Sequence, residues 1–416
     1  MVSQSTIQIL NKDNYTDHRL VTIPSTPSDL GPSSLRIQSK VLGLTTNNLT
    51  YARMGSFMGW WTIYRQPENT PAPYNDKSTY IRTPAWGFAE ILESTVPEIP
   101  AGKTLYGFLP IGTDPIDLQV ELPSDLSNQI VVLNEHRKDM WKIYNRYRIL
   151  PPLEDYIKEK TLDIVGWDPL MWGLFATGYN TSRHAFAWDD ERRCFPSGPG
   201  KGEWSADDAN LDDSAVICLS ASGKTAMAFA YCLRQERPKE HQPKLIIGVG
   251  SSASKSLTQN SGFYDNIFLY EDFKAVQDFV MKEKVRRVVL VDFGAREGFN
   301  KAWRDTFESP EATLPFQFVA VGGGVKATTE EETGKWLAEL GHRIVVNASD
   351  LREVGIENGG DAYMDELDTA FTKFKEGGGV PGCQLKWQEG MEAWDKSWDD
   401  LCKDKVGPDT GLVFRL

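Results

Sequence analysis

The sequence predicts an α/β fold with two domains, one β-rich and one built on a doubly wound parallel sheet. Three observations carry this. The chain has 416 residues, more than one compact core ordinarily organises. Between positions 35 and 121, short apolar runs such as 41–44 and 87–92 are broken by Gly, Pro and Asn turns, the pattern of irregular β structure. From Ala215 onward the period changes, and continuous apolar strands alternate with helical stretches. That alternation marks a parallel sheet whose crossover helices bury both faces.

The parallel-sheet pattern is regular. Residues 215–219 form an apolar strand, a turn follows, and helical spacing runs over 223–234. A second strand at 244–248, a helix at 254–261 and a short strand at 266–270 come next. Helix 272–284, strand 288–292 and strand 316–321, which ends in three glycines, complete the series. Upstream, helical spacing between 134 and 177 puts Met140, Trp141, Tyr144 and Tyr147 on one stripe and Leu170, Leu174 and Thr177 on another. Residues 189–213, rich in Gly, Pro, Ser and acids, read as a surface excursion.

Composition removes several classes of function. Forty-five Lys and Arg against 58 Asp and Glu give a formal net charge of -13, which repels phosphate backbones and anionic membranes. The densest basic stretch, 282–287, reads as a helix end running into a strand, so nucleic acid is not an expected partner. With no signal-peptide pattern and no run of about 18 apolar residues, a cytoplasmic protein without membrane contact is expected. The five cysteines (194, 218, 232, 383 and 402) are odd in number and widely spaced, which indicates neither a disulfide framework nor a structural zinc.

The turn after the first parallel strand reads Ser220-Ala-Ser-Gly-Lys-Thr-Ala226. A Rossmann unit needs small residues there so that backbone approaches a pyrophosphate and the next helix aims its amides at it. Ser220, Ser222 and Gly223 serve the turn, Ala226 permits close helix packing, and Lys224 and Thr225 open the helix. The tail Ser222-Gly-Lys-Thr225 resembles a Walker A loop, but the required upstream glycine is Cys218 in mid-strand. No G-x-S-x-G elbow of a serine hydrolase is present. At the end of the second strand, Gly250, Ser251, Ser252 and Lys255 stand where an acid would bind the ribose of NAD; hydroxyls and a lysine there favour NADP(H). Tyr270, and Gly322 and Gly323 after the last strand, are further cofactor-binding candidates.

Residues 216–230, 246–250 and 262–267 resemble the cofactor domain of quinone and enoyl reductases of the medium-chain dehydrogenase/reductase superfamily. Residues 407–416 look like its closing strand. Residues 44–55 and 84–94 resemble a divergent branch known only as a domain of unknown function. The resemblance implies a GroES-like β-rich catalytic domain at 1–175, a Rossmann NADP-binding domain at 176–345, and a segment 346–416 returning to the catalytic domain. No Cys precedes Cys194, and only His18 and His136 lie in the first region, so no catalytic zinc is expected.

The implied activity is zinc-independent, NADPH-dependent reduction of an enone, quinone or ketone, polyketide-like compounds among them. Tyr51 is the leading proton donor because it falls in the segment resembling the cleft-forming loop. Asn48, with Asn47, is a candidate for hydrogen bonds to cofactor or substrate, and Tyr144 and Tyr147 are the next donors. Trp60, Trp61 and Trp86 are candidates for the wall of a flat pocket. Two other readings stay open: a redox-silent lyase, hydrolase or isomerase on the same fold, favoured by Ser220 and bulky Lys224, and a non-catalytic scaffold with a vestigial site. The expected partner is a small molecule, and a homodimer is left open.

Overall fold

The structure is a computed structural model describing residues 3–25, 28–296, 298–310, 312–322 and 343–416; Gly323, a sequence candidate, lies outside the described residues. The chain divides into two compact units. The described residues up to Leu170 together with Gln384–Leu416 form one, and the described residues between Met171 and Cys383 form the other.

The first unit contains a β barrel and a separate three-stranded sheet. Its strands in chain order are β1 (Ser3–Asn11), β2 (His18–Ser25), β3 (Ser34–Leu44), β4 (Tyr80–Ile81), β5 (Pro84–Ser94), β6 (Thr104–Pro110), β7 (Ile116–Glu121), β8 (Gln129–Val132) and β9 (Arg146–Leu150). Strands β3, β5, β6, β9, β8 and β7 pair in that order, and β7 pairs back to β3, which closes the ring. Strand β3 reaches both partners because its register against β5 shifts at Arg36/Ile37 and again at Ser39/Val41. Such irregularities bend a strand and raise its twist. Leu35, Ile37, Ala89, Ile91, Leu105 and Ile130 fill the core.

One glycine is fixed by this closure. Gly87 pairs with Leu42 across β3 and β5, and a Cβ there would lie 2.0 Å from the Val41 carbonyl oxygen. Backbone cannot step aside as a side-chain tip can, so Gly87→Ala is expected to destabilise the protein by about 1–3 kcal/mol. An unchanged urea midpoint would refute it.

Helical spacing over 134–150 does not produce a helix, which corrects the expectation for that stretch. Residues Glu135–Arg137 and Lys142–Tyr144 are single 3-10 turns, and Tyr147 stands on β9. Arg137 Nε donates to Asn145 Oδ1 at 3.0 Å and Asn145 Nδ2 donates to the Arg137 carbonyl at 2.9 Å, locking a loop where the helix was expected. Leu170, Leu174 and Thr177 do lie on a helix, Trp167–Asn180.

The second unit contains six strands: β10 (Ser214–Leu219), β11 (Leu245–Gly250), β12 (Asn266–Leu269), β13 (Arg287–Asp292), β14 (Phe316–Ala320) and β15 (Ile344–Val345). All neighbours pair in parallel. Their order, β12-β11-β10-β13-β14-β15, is 3-2-1-4-5-6 by appearance, the Rossmann arrangement. Side chains alternate between two cores. Val216, Cys218, Ile246, Val289 and Val291 face one layer with Phe229 and Leu351. Ala215, Ile217, Ile247, Val288 and Leu290 face the other with Val276 and Trp303. Both faces are covered, which is why these strands read as unbroken apolar runs.

Strands β16 (Gln384–Glu389) and β17 (Thr410–Arg415) extend the barrel sheet, with β17 antiparallel to β3. Among the described residues the first unit resumes at Gln384, and Leu351 and Val354 of the helix Ala348–Glu376 pack into the Rossmann core.

Candidate functional site

Strands β10 and β13 flank the point where the order of the parallel sheet reverses, and in open α/β sheets ligands bind outside the carboxyl ends of such strands. The turn after β10 is shaped for this. Ser220 takes φ +60°, a left-handed backbone that only glycine adopts freely, yet Gly223 N donates to its carbonyl at 2.8 Å and Ala221 N donates to Val249 O at 2.9 Å. Tyr264 Oη holds the Ala221 carbonyl at 2.8 Å. The helix Lys224–Gln235 begins immediately, with Gly223 as N-cap, no side-chain cap and no acid in its first turn. Its first amides are left for an anion. Ser222, Gly223, Lys224 and Thr225 are all half-buried at this opening.

The end of β11 adjoins it, since Leu219 pairs with Val249. Gly250 is buried, Ser251 and Lys255 are half-buried and Ser252 is exposed. Ser251 Oγ and Ser254 Oγ lie 3.2 Å apart. Neither Lys224 nor Lys255 has an ion-pair partner among the described residues. Tyr270 N donates to Gly250 O at 3.0 Å, its hydroxyl bonds Ser220, and its ring stacks on Phe299 at 4.9 Å. Tyr270 is thus a buried brace of the turn.

Asp292 ends β13 opposite Leu219. Its carboxylate accepts from Gly294 N at 3.0 Å and Ala295 N at 2.7 Å, while burial pushes its pKa upward. The Asp292 carbonyl accepts from Val321 N at 2.8 Å and Gly322 N at 3.4 Å, so Gly322 lies on the same edge.

The catalytic candidates gather only in part. Tyr51, on the helix Thr46–Arg53, packs edge-on against Trp60 at 4.9 Å and Phe108 at 4.8 Å, and 6.5 Å from Tyr144. Trp86 Nε1 donates to Tyr51 Oη at 3.0 Å, and Asn47, one helical turn away, bonds the same hydroxyl. Burial raises the Tyr51 phenol to about 12. Asn48 is occupied otherwise: its Oδ1 accepts from Thr45 N at 2.8 Å in a capping box, and Nδ2 donates to Pro84 O at 3.4 Å. Tyr147 also points elsewhere, donating to Phe108 O and accepting from Arg137 Nη2 at 3.2 Å. Trp61 fills the space above Gly55 and donates to Ala52 O at 3.0 Å.

Among the described residues, no group of three His, Cys, Asp or Glu could hold a metal ion. None of the described helices is long and apolar enough to cross a membrane.

The family described as "Protein of unknown function (DUF2855)" matches residues 42–407. No curated protein matches the chain. Among solved structures it is similar to a mutant form of enoyl thioester reductase from Candida tropicalis, with 8% identity, TM-score 0.55 and all of both chains covered. A probable oxidoreductase from Mycobacterium abscessus aligns with 13% identity and TM-score 0.52, again over 100% of both chains. CurA from Vibrio vulnificus in complex with NADPH aligns with 11% identity and TM-score 0.51 over 99% of each chain.

Proposed function

We propose that this chain, which belongs to the DUF2855 family, is an NADPH-dependent reductase of a small enone, quinone or ketone. The observation that carries the reading is the uncapped start of the helix Lys224–Gln235 at the edge where the sheet reverses, flanked by two lysines with no anion among the described residues. The NADPH complex of CurA and the enoyl reductase of similar fold support it.

The residues fit the dinucleotide. Amides of 224–226 would bind the pyrophosphate, with the Ser220 turn keeping side chains out of its path. Ser251, Ser252 and Lys255 receive the 2′-phosphate at a strand end that has no acid. When bound, the nicotinamide supplies hydride. Tyr51 supplies the matching proton, so that one hydride and one proton together saturate the double bond or the carbonyl. Trp86 and Asn47 orient the phenol, and no zinc ligand set is needed.

Titrating the full chain with NADPH and NADH by Trp fluorescence tests the reading. NADPH is expected to bind more tightly, and Lys255→Ala to weaken NADPH by about tenfold while leaving NADH unchanged, as for one charge-assisted contact. Failure of both nucleotides to bind at high micromolar concentration overturns it. Turnover without nicotinamide overturns it in favour of a lyase, hydrolase or isomerase.

A further inference from the structure

A cavity of about 140 Å³ opens in the barrel unit between the segment after the Trp60–Thr62 turn, β7, and the loop that carries His136 and Arg137. Its charges do not balance. Arg82 is neutralised by Asp114, with Nη2 to Oδ1 at 2.7 Å and Nη1 to Oδ2 at 2.9 Å. Asp117 is claimed by Arg36 at 2.8 and 2.9 Å. His136 gives no charge near neutrality, because burial, then Arg65 and Arg137, lower its pKa while it bonds Ile63 O at 3.0 Å. Arg65 and Arg137 remain, and neither has a carboxylate partner among the described residues.

Arg137 is the telling one. It is 1% exposed, and a buried charge is costly unless it is paired. Its guanidinium sits over the rings of Tyr64 and Tyr147 at 5.5 and 5.6 Å. Nε and Nη2 are bonded to neutral oxygens, whereas Nη1 is buried with no hydrogen-bond partner. The remaining walls, Ile63, Tyr64, Ile116 and Leu118, are apolar or aromatic, apart from the amide of Asn134.

We propose that this cavity binds a small organic carboxylate, with Arg137 and Arg65 as counter-charges and Ile63, Ile116 and Leu118 around its apolar body. A guanidinium is the side chain whose planar donors match a carboxylate. The volume is close to that of a cavity of about 150 Å³ that admits benzene, so benzoate is the probe of fitting size.

The test uses the full chain, with calorimetric titration of benzoate, neutral benzamide and inorganic phosphate. Saturable one-to-one benzoate binding is expected, at least about tenfold tighter than benzamide. Exposed Arg65→Gln is expected to weaken it by about tenfold, and Ile116→Trp, which fills the space, to abolish it. Each variant's unfolding midpoint is measured alongside. The proposal is overturned by absence of benzoate binding at tens of millimolar, by equal benzamide affinity, by phosphate binding where benzoate does not, or by indifference to both substitutions. NADPH titration of the same samples separates this outcome from the fate of the reductase reading.

Discussion

Tyr51→Phe is expected to lower turnover by about 10²- to 10⁴-fold, the range for removing a positioned general acid, with NADPH affinity and fold unchanged. The phenol is suited to giving a proton because its oxygen already accepts from Trp86, which leaves its own hydrogen to be aimed. Burial raises its pKa to about 12, against the lowering effect of bonds to Trp86 and Asn47. The acid form is thus present throughout the neutral range, and activity is expected to stay level until pH rises toward about 12. The same shift acts on stability. An acid whose folded pKa lies above its unfolded value, 10.0 here, contributes fully below that value and loses the contribution as pH rises through the folded one. Wild type is expected to weaken between these two points, and the Phe variant less so. NADPH oxidation with an enone or quinone reads the first effect and alkaline unfolding the second. Full turnover by the Phe variant would remove Tyr51 from the mechanism.

The Rossmann half was legible because its physics is local. A strand buried on both faces is an unbroken apolar run, and the expected strand at 215–219 and helix at 223–234 fall within a residue or two of Ser214–Leu219 and Lys224–Gln235. The turn between them was legible as a tight strand-to-helix connection, since small residues let the backbone double back there. The barrel was not, because its closure depends on β3 meeting β7, a pairing between distant segments. The spacing of Tyr144 and Tyr147 mimics a helix, while the interaction that decides their conformation, Arg137 with Asn145, leaves no periodic trace. Asn48 closes a capping box with Thr45, three residues before it. Asn47 is the amide that meets Tyr51. The cavity arginines lacked any signal, since only the fold shows that Asp114 and Asp117 are already spent on Arg82 and Arg36.

Asp114→Ala is expected to destabilise the protein by about 3–5 kcal/mol, the cost of stripping one partner from a buried ion pair. Asp114 and Arg82 are 7% and 2% exposed at their side chains, and Arg82 Nε is buried without another acceptor, so the orphaned guanidinium has nothing to turn to. The double variant Arg82→Met/Asp114→Ala is expected to lose less than the single one, because it buries no charge, and urea unfolding of both singles and the double gives the coupling directly. Additive losses would mean that the pair is only packing. The same substitution bears on the cavity, since Arg82 lines it. Freed of Asp114, Arg82 becomes a third counter-charge there, and benzoate is expected to restore stability to Asp114→Ala beyond its effect on wild type, in proportion to its tighter binding. A carboxylate ligand would then stand in for the carboxylate removed.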